Sequence, residues 1–256
     1  MKRIIRKLFK TVAPKIFNDG LERCNALGKK LVKKKETDRF LDVGCAYGDL
    51  TLEFTKLIKC KSVYGVEFIE KYQKMAIQRG IHCQRQDLNK RWNFKTDFFD
   101  LILSSQNIEH MHNTRLYLEE CYRCLKPEGQ VLILSENLAS WINIFSLILG
   151  WEPFSLAGIS GASVGNPFHV DMGKNDWLER KNSLLFNEYR QSGISGLAGH
   201  IRVLSYQGLK DLMEMTGFKQ VEVYTKGYLP FWGIISDLMC FLDKRHGHFL
   251  IGTGFK

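Results

Sequence analysis

The sequence predicts an α/β fold, a three-layer α/β/α sandwich on a doubly wound, mostly parallel sheet. Three observations carry this. Short apolar runs recur at 40–43, 62–66, 99–103 and 131–134, as expected for strands buried on both faces. Helical spacing fills the intervals, with Leu50, Leu52, Phe54 and Leu57 in one and Leu116, Leu118, Cys121 and Leu125 in another. The first strand also runs through a glycine turn straight into a helix, the unit that brings backbone N–H groups close to a nucleotide-like ligand.

That turn is Asp42-Val43-Gly44-Cys45-Ala46-Tyr47-Gly48-Asp49. A Cβ at Gly44 or Gly48 would block a ligand's approach or forbid a positive φ. The spacing is not the G-x-G-x-x-G of dinucleotide sites, whose third glycine would fall on Asp49. An aspartate there sits poorly beside a pyrophosphate, so a ligand without phosphate fits better.

The remaining strands each end in a polar residue. The second, 62–66, stops at Glu67-Phe68, and a helix follows over 69–79. The third, 81–86, stops at Asp87-Leu88-Asn89, and Trp92 and Phe94 then pack beneath it in a loop. The fourth, 99–103, gives way to Ser104-Ser105-Gln106-Asn107-Ile108-Glu109-His110. Lys126-Pro127-Glu128-Gly129 has the residues of a type I turn, and 131–134 makes a fifth strand.

Five segments, FLDVGCAYGDLTLEF, VYGVEF, RQDLN, FDLILSSQNIEHM and LKPEGQVLILSENL, stand in this order. Together they resemble the class I S-adenosylmethionine-dependent methyltransferases, of the ubiquinone/menaquinone type (the methyltransferase-11/23-like subgroup). The resemblance covers 39–136 and extends more weakly to 200–223. It implies a Rossmann-like sheet of seven strands, the last antiparallel between the fifth and sixth. Asp42, Gly44, Cys45, Ala46 and Gly48 would then hold the cofactor S-adenosylmethionine, leaving S-adenosylhomocysteine as product. Glu67 would accept both ribose hydroxyls, since one carboxylate has an oxygen for each. Phe68 would pack on the adenine, Asp87 and Leu88 would meet its edge, and Ser104 would complete the site. Ala46 departs from the family's commoner glycine.

Beyond the fifth strand the pattern loosens. Residues 150–199 hold eight of the 22 glycines, so loops around a helix at 177–189 are expected. The domain reading is a basic amphipathic helical segment over 1–38 and a methyltransferase domain over 39–256, with 137–199 inserted as a substrate cap. Ser205 is placed to cap a helix carrying Leu209, Leu212 and Met213, which Gly217 ends. Strands at 218–225 and 248–252 finish the chain.

Residues 1–38 hold twelve Lys/Arg against four Asp/Glu, so +8 of the whole chain's +10 lies there. The rest is near neutral, which argues against a nucleic-acid partner. Residues 2–17 read as an amphipathic helix, kinked or restarted at Pro14, suited either to packing on the domain or to peripheral contact with an anionic membrane. The apolar stretches 138–151 and 228–242 are too short or interrupted to span one. Seven scattered cysteines and no secretory leader point to a reducing, cytoplasmic setting. Cys121 and Cys124 have no second pair, and no acid–histidine spacing supports a metal, so none is expected.

For such an enzyme the leaving group of an in-line displacement departs neutral, and the protein mainly aligns the acceptor and excludes water. A base is needed only for a hydroxyl or a protonated amine. His110, just past the fourth strand, is the leading candidate. The expected acceptor is a small molecule or one linked to sugar or lipid, methylated at oxygen or nitrogen. Ser104-Ser105-Gln106-Asn107 stands where nucleobase and glutamine-amide enzymes carry a Pro-Pro-Tyr motif. The competing reading is a non-catalytic S-adenosylmethionine-fold module anchored by its basic helix. An intact glycine turn and Glu67 speak against it.

Overall fold

The computed structural model describes residues 2–33, 36–156, 165–166 and 200–256, with side chains from residue 12 onward. Helix α1 (Lys2–Leu31) leads into β1 (Glu36–Val43), α2 (Asp49–Thr55), β2 (Lys59–Val66), α3 (Glu70–Gln78), β3 (His82–Gln84) and β4 (Phe99–Ser105). A 3-10 turn at Ile108–His110 precedes α4 (Thr114–Cys124), β5 (Leu125–Glu136) and α5 (Trp141–Ile148). After residue 199 come α6 (Tyr206–Thr216), β6 (Lys219–Lys226), α7 (Gly233–Leu242) and β7 (Phe249–Phe255).

The sheet order is β3-β2-β1-β4-β5-β7-β6. Strands β1 to β5 pair in parallel, while β7 runs antiparallel between β5 and β6, as the resemblance implies. Val43 is in register with both Val66 and Ser104. The loops leaving β1, β2 and β4 therefore emerge at one level.

The apolar runs are continuous because both faces are covered. In β5, Val131 and Ile133 join a core with Trp92, Tyr117, Leu118, Leu209 and Met213. The alternate residues Leu132 and Leu134 join the opposite core with Cys24, Phe40, Phe54 and Phe249. Each such side chain contributes about 1.5–3 kcal/mol through burial.

Helices α4 and α6 are capped by side chains or glycine, and both ends of α6 follow the sequence signals. Asn113 accepts from Leu116 N at 3.0 Å to start α4. Ser205 accepts from Gly208 N at 3.1 Å to start α6, and Gly217 closes it with φ 108. Two expectations are corrected. Residues 126–129 belong to β5 rather than to a separate turn; Glu128 takes φ 61, and the β4–β5 pairing slips between Phe99 and Leu101. Pro14 neither breaks nor restarts α1, which continues to Leu31.

Helix α1 lies along β7 and β5. Phe17 packs on Phe249 at 5.0 Å between ring centroids, and Gln130 Nε2 donates to Leu31 O at 2.8 Å. A Cβ at Gly20 would come within 3.0 Å of Gly227 Cα, so glycine permits the close approach. The amphipathic face read at residues 2–11 lies outside the described side chains. Of the cap reading, α5 and a 3-10 turn at Phe154–Leu156 are described. Its helix at 177–189 lies outside the described residues. Among the described residues no helix is long and apolar enough to cross a membrane.

Candidate functional site

A cleft opens at the carboxyl ends of β1 to β4, where the strand order reverses between β1 and β4. Open α/β sheets bind ligands at this switch point. The glycine turn forms its floor. Gly44 N and Cys45 N both donate to Val66 O, at 2.9 and 3.0 Å, fastening the turn to the end of β2. Gly44, Ala46 and Gly48 have φ of 80, 45 and 92. Ala46 is the strained member, because an L side chain in the left-handed region costs about 1–2 kcal/mol.

Of the expected site residues, Gly44, Ala46, Glu67 and Phe68 line the cleft. So do Asp87, Leu88 and His110. Glu67 Oε1 accepts from Ile69 N at 2.7 Å. Burial raises its carboxyl above the ordinary range, against the opposing pull of amides from Ile69, Ala46 and Phe68. Asp87 Oδ1 accepts from Asn89 N at 3.0 Å. The Arg85 guanidinium lies 4.9 Å from the Phe68 ring centroid.

The structure does not bring Asp42, Cys45, Gly48 or Ser104 to the cleft wall. Asp42 is buried beneath the turn, where Thr51 Oγ1 donates to its Oδ2 at 2.6 Å. Burial lifts its carboxyl to about 7. Cys45 turns away from the cleft and meets Cys83, sulfur to sulfur, at 3.6 Å. Gly48 begins α2 against Ile81, whose Cδ1 would lie 2.5 Å from an added Cβ. Ser104 is fully buried and accepts from Tyr117 OH at 2.7 Å. These residues act by holding the turn and β4 in place.

Several lining residues carried no sequence signal of their own. Asn107 Nδ2 donates to Val43 O at 2.9 Å, bracing the end of β1. Gln86 and Gln106 also line the cleft, and the side-chain Nε2 of each is buried with no hydrogen-bond partner. Two unpartnered amide groups among the lining residues, carboxylates at the tips of β2 and β3, and a floor without a side chain at Gly44 suit an amino-acid-bearing nucleoside. S-adenosylmethionine is one.

Beside the cleft the chain assembles a cluster that no local spacing announces. Glu109, His110 and His200 bring ligand-type atoms within 4.8 Å of one another, so an acid and two imidazoles do converge, contrary to the spacing argument. Glu109 is fully buried; Ser135 Oγ donates to its Oε2 at 2.9 Å, and its Oε1 has no hydrogen-bond partner. Burial lifts this carboxyl to about 7, partly opposed by His200. His110 and His200 meet edge to face at 4.8 Å between centroids. His200 Nδ1 lies 2.7 Å from Ser155 O. A carbonyl only accepts, so Nδ1 carries a proton.

A family model described as a methyltransferase domain matches residues 7–223. The ubiquinone biosynthesis O-methyltransferase of Rattus norvegicus is 26% identical over 130 residues, covering 47% of this chain and 36% of that protein. The demethylmenaquinone methyltransferase of Lactobacillus johnsonii is 29% identical over 182 residues, covering 62% of this chain and 72% of that one. The chain thus spans about a third of the first relative's length. Among solved structures, an S-adenosylmethionine-dependent methyltransferase from Mesorhizobium loti aligns with a TM-score of 0.56 at 19% identity, over 90% of this chain and 96% of that one. A phosphoethanolamine N-methyltransferase of Haemonchus contortus, solved with S-adenosylhomocysteine, aligns at 0.55 and 18%, over 92% and 52%. The match over most of its length, with the switch-point cleft and its glycine turn, makes this chain a member of the class I S-adenosylmethionine-dependent methyltransferase family.

Proposed function

We propose that the cleft transfers a methyl group from S-adenosylmethionine to the oxygen or nitrogen of a small acceptor, free or carried on a sugar or lipid. Bound there, S-adenosylmethionine supplies an electrophilic methyl on a sulfonium. The observation that carries the reading is the convergence of Gly44, Glu67, Asp87 and the unpartnered Gln106 amide on one cleft.

Glu67 accepts the ribose hydroxyls, Asp87 and the Leu88 backbone meet the adenine edge, and Phe68 covers its face. Gln106 Nε2 offers a donor to the amino-acid end. His110, on the cleft wall against His200, takes the acceptor's proton when that acceptor is a hydroxyl or an ammonium. Residues 137–199 form one side of the acceptor space and exclude water, and residues 1–17 add contact with an anionic lipid surface. Relatives named for ubiquinone and menaquinone biosynthesis put phenolic quinone precursors first among acceptors to test. The binding-module alternative has no comparable support, since the turn and the acid of β2 are both intact.

Calorimetry with S-adenosylmethionine and S-adenosylhomocysteine tests the first half, and release of S-adenosylhomocysteine with a panel of phenols and amines tests the second. Binding without turnover on any acceptor would leave the transfer step unsupported; no binding would end the transfer reading and favour the module.

A further inference from the structure

Helices α5 and α7 are built inside out. In α7 the polar side faces the protein: Ser236 Oγ accepts from Tyr228 N at 2.7 Å, and Asp237 pairs with Arg23 and Lys226. The outward stripe is Ile234, Ile235, Leu238, Phe241 and Leu242, at the i, i+1, i+4, i+7, i+8 spacing of one helix face. Ile234 is 84% exposed and Phe241 70%. Helix α5 repeats the inversion. Asn143 and Ser146 are buried, Asn143 Nδ2 donating to Ser155 Oγ at 2.8 Å, while Phe145, Leu147 and Ile148 face out, Ile148 at 71%.

The two helices meet at Asp243. Trp141 Nε1 from α5 and Tyr228 OH both donate to its Oδ2, at 2.8 and 2.7 Å. Helix α5 leaves the carboxyl end of β5, and α7 bridges the carboxyl end of β6 to the start of β7. The apolar surface therefore sits on the edge of the sheet where the cleft opens. Apolar patches of this kind on a protein surface mark a contact.

Charge and composition name the occupant. Every exposed residue from 231 to 242 is apolar. A surface offering no exposed polar side chain fits hydrocarbon better than a protein partner, whose interfaces carry about one hydrogen bond per 100–200 Å². Exposed Lys244 and Arg245 follow Leu242 after Asp243, whose carboxylate is taken up by Trp141 and Tyr228. Phe17 packs on Phe249 at this same edge, so the part of α1 that precedes it begins there. Residues 2–10 carry five Lys/Arg and no acid. An apolar face that runs on to exposed Lys244 and Arg245, beside a helix whose start is basic in sequence, suits the headgroup boundary of an anionic bilayer.

We infer that the α5–α7 face docks this protein on an anionic lipid bilayer, with the edge bearing the cleft turned toward the lipid. This deepens the proposed lipid contact of residues 1–17 by naming a hydrophobic anchor distinct from them.

The test is sedimentation of the full chain with vesicles of phosphatidylcholine alone or mixed with phosphatidylserine, at low salt. The wild type is expected to sediment with the mixed vesicles. The double variants Ile234→Ser/Phe241→Ser and Phe145→Ser/Ile148→Ser should each lower the partition coefficient about tenfold or more. Both should bind S-adenosylmethionine like the wild type, showing that they are folded. Undiminished sedimentation of both variants overturns the inference, even where deletion of residues 1–17 abolishes it. So does absence of wild-type sedimentation, or a wild-type dimer that these variants convert to monomer, which assigns the face to a second copy. Failure to bind S-adenosylmethionine in the wild type would strike the transfer reading and leave the vesicle result standing.

Discussion

Asn107 occupies the space that a side chain at Gly44 would need. Its Nδ2 donates to Val43 O at 2.9 Å, and a Cβ on Gly44 would fall 2.8 Å from its Cγ. The end of β1 and the loop after β4 are thereby locked together at the floor of the cleft. Gly44→Ala must both hold φ 80 with a side chain and displace Asn107. It should cost about 1–3 kcal/mol of stability and most of the affinity for S-adenosylmethionine. Because the clash is shared, adding Asn107→Ala should cost less than the sum of the two singles. Urea unfolding of the four proteins measures this, and strict additivity would show that the two residues do not compete.

Glu67→Gln keeps the shape of the side chain but removes its charge. Loss of a hydrogen bond to a charged acceptor corresponds to about 1.5–3 kcal/mol, so calorimetric affinity should fall by tenfold or more. Unchanged affinity in the folded variant would place the ribose elsewhere.

Ala46 holds φ 45, a conformation glycine adopts freely. Ala46→Gly should leave S-adenosylmethionine affinity within about twofold and stability unchanged or raised by up to about 1 kcal/mol. A clear loss of stability would mean that the Ala46 methyl packs usefully despite the strain.

Glu109 predicts a pH dependence. Burial raises its carboxyl from 4.5 to about 7, so the folded protein keeps this proton to higher pH than the unfolded chain does. The associated stability is full below about 4.5 and is lost as pH rises through about 7. At 1.36 kcal/mol per pKa unit this amounts to at most about 3 kcal/mol. Asp42, raised to about 7 by its own burial, adds in the same direction. Glu109→Gln should therefore lose less stability than the wild type between pH 5 and pH 8. Parallel unfolding curves for the two proteins across that range would show that Glu109 is already ionised at pH 5.

His110→Asn should lower kcat by about 10²–10⁴ if the acceptor must lose a proton, with the KM for S-adenosylmethionine little changed. An equal fall in kcat and in S-adenosylmethionine affinity would make His110 a structural member of the wall.

The sequence by itself determined the sheet and its ligand edge. Strand β4, most of β5 and the second half of β1 are buried on both faces, and that burial writes short apolar runs into the chain. The glycine turn and the acid ending β2 are likewise local patterns, each a residue type at a fixed offset from the end of a strand. Tertiary structure alone decided what long-range contact decides. It placed Asp42, Cys45 and Ser104 behind the cleft, because Thr51, Cys83 and Tyr117 receive their side chains there. It set Asn107 under Gly44, and it brought His200 to Glu109 across 91 residues, with the Ile201 and Arg202 amides bound to Glu109 O at 2.7 and 3.0 Å. It also turned the apolar sides of α5 and α7 outward. Helical periodicity shows that a helix has an apolar face, but which face meets water depends on where Asn143, Ser146, Ser236 and Asp237 find their partners.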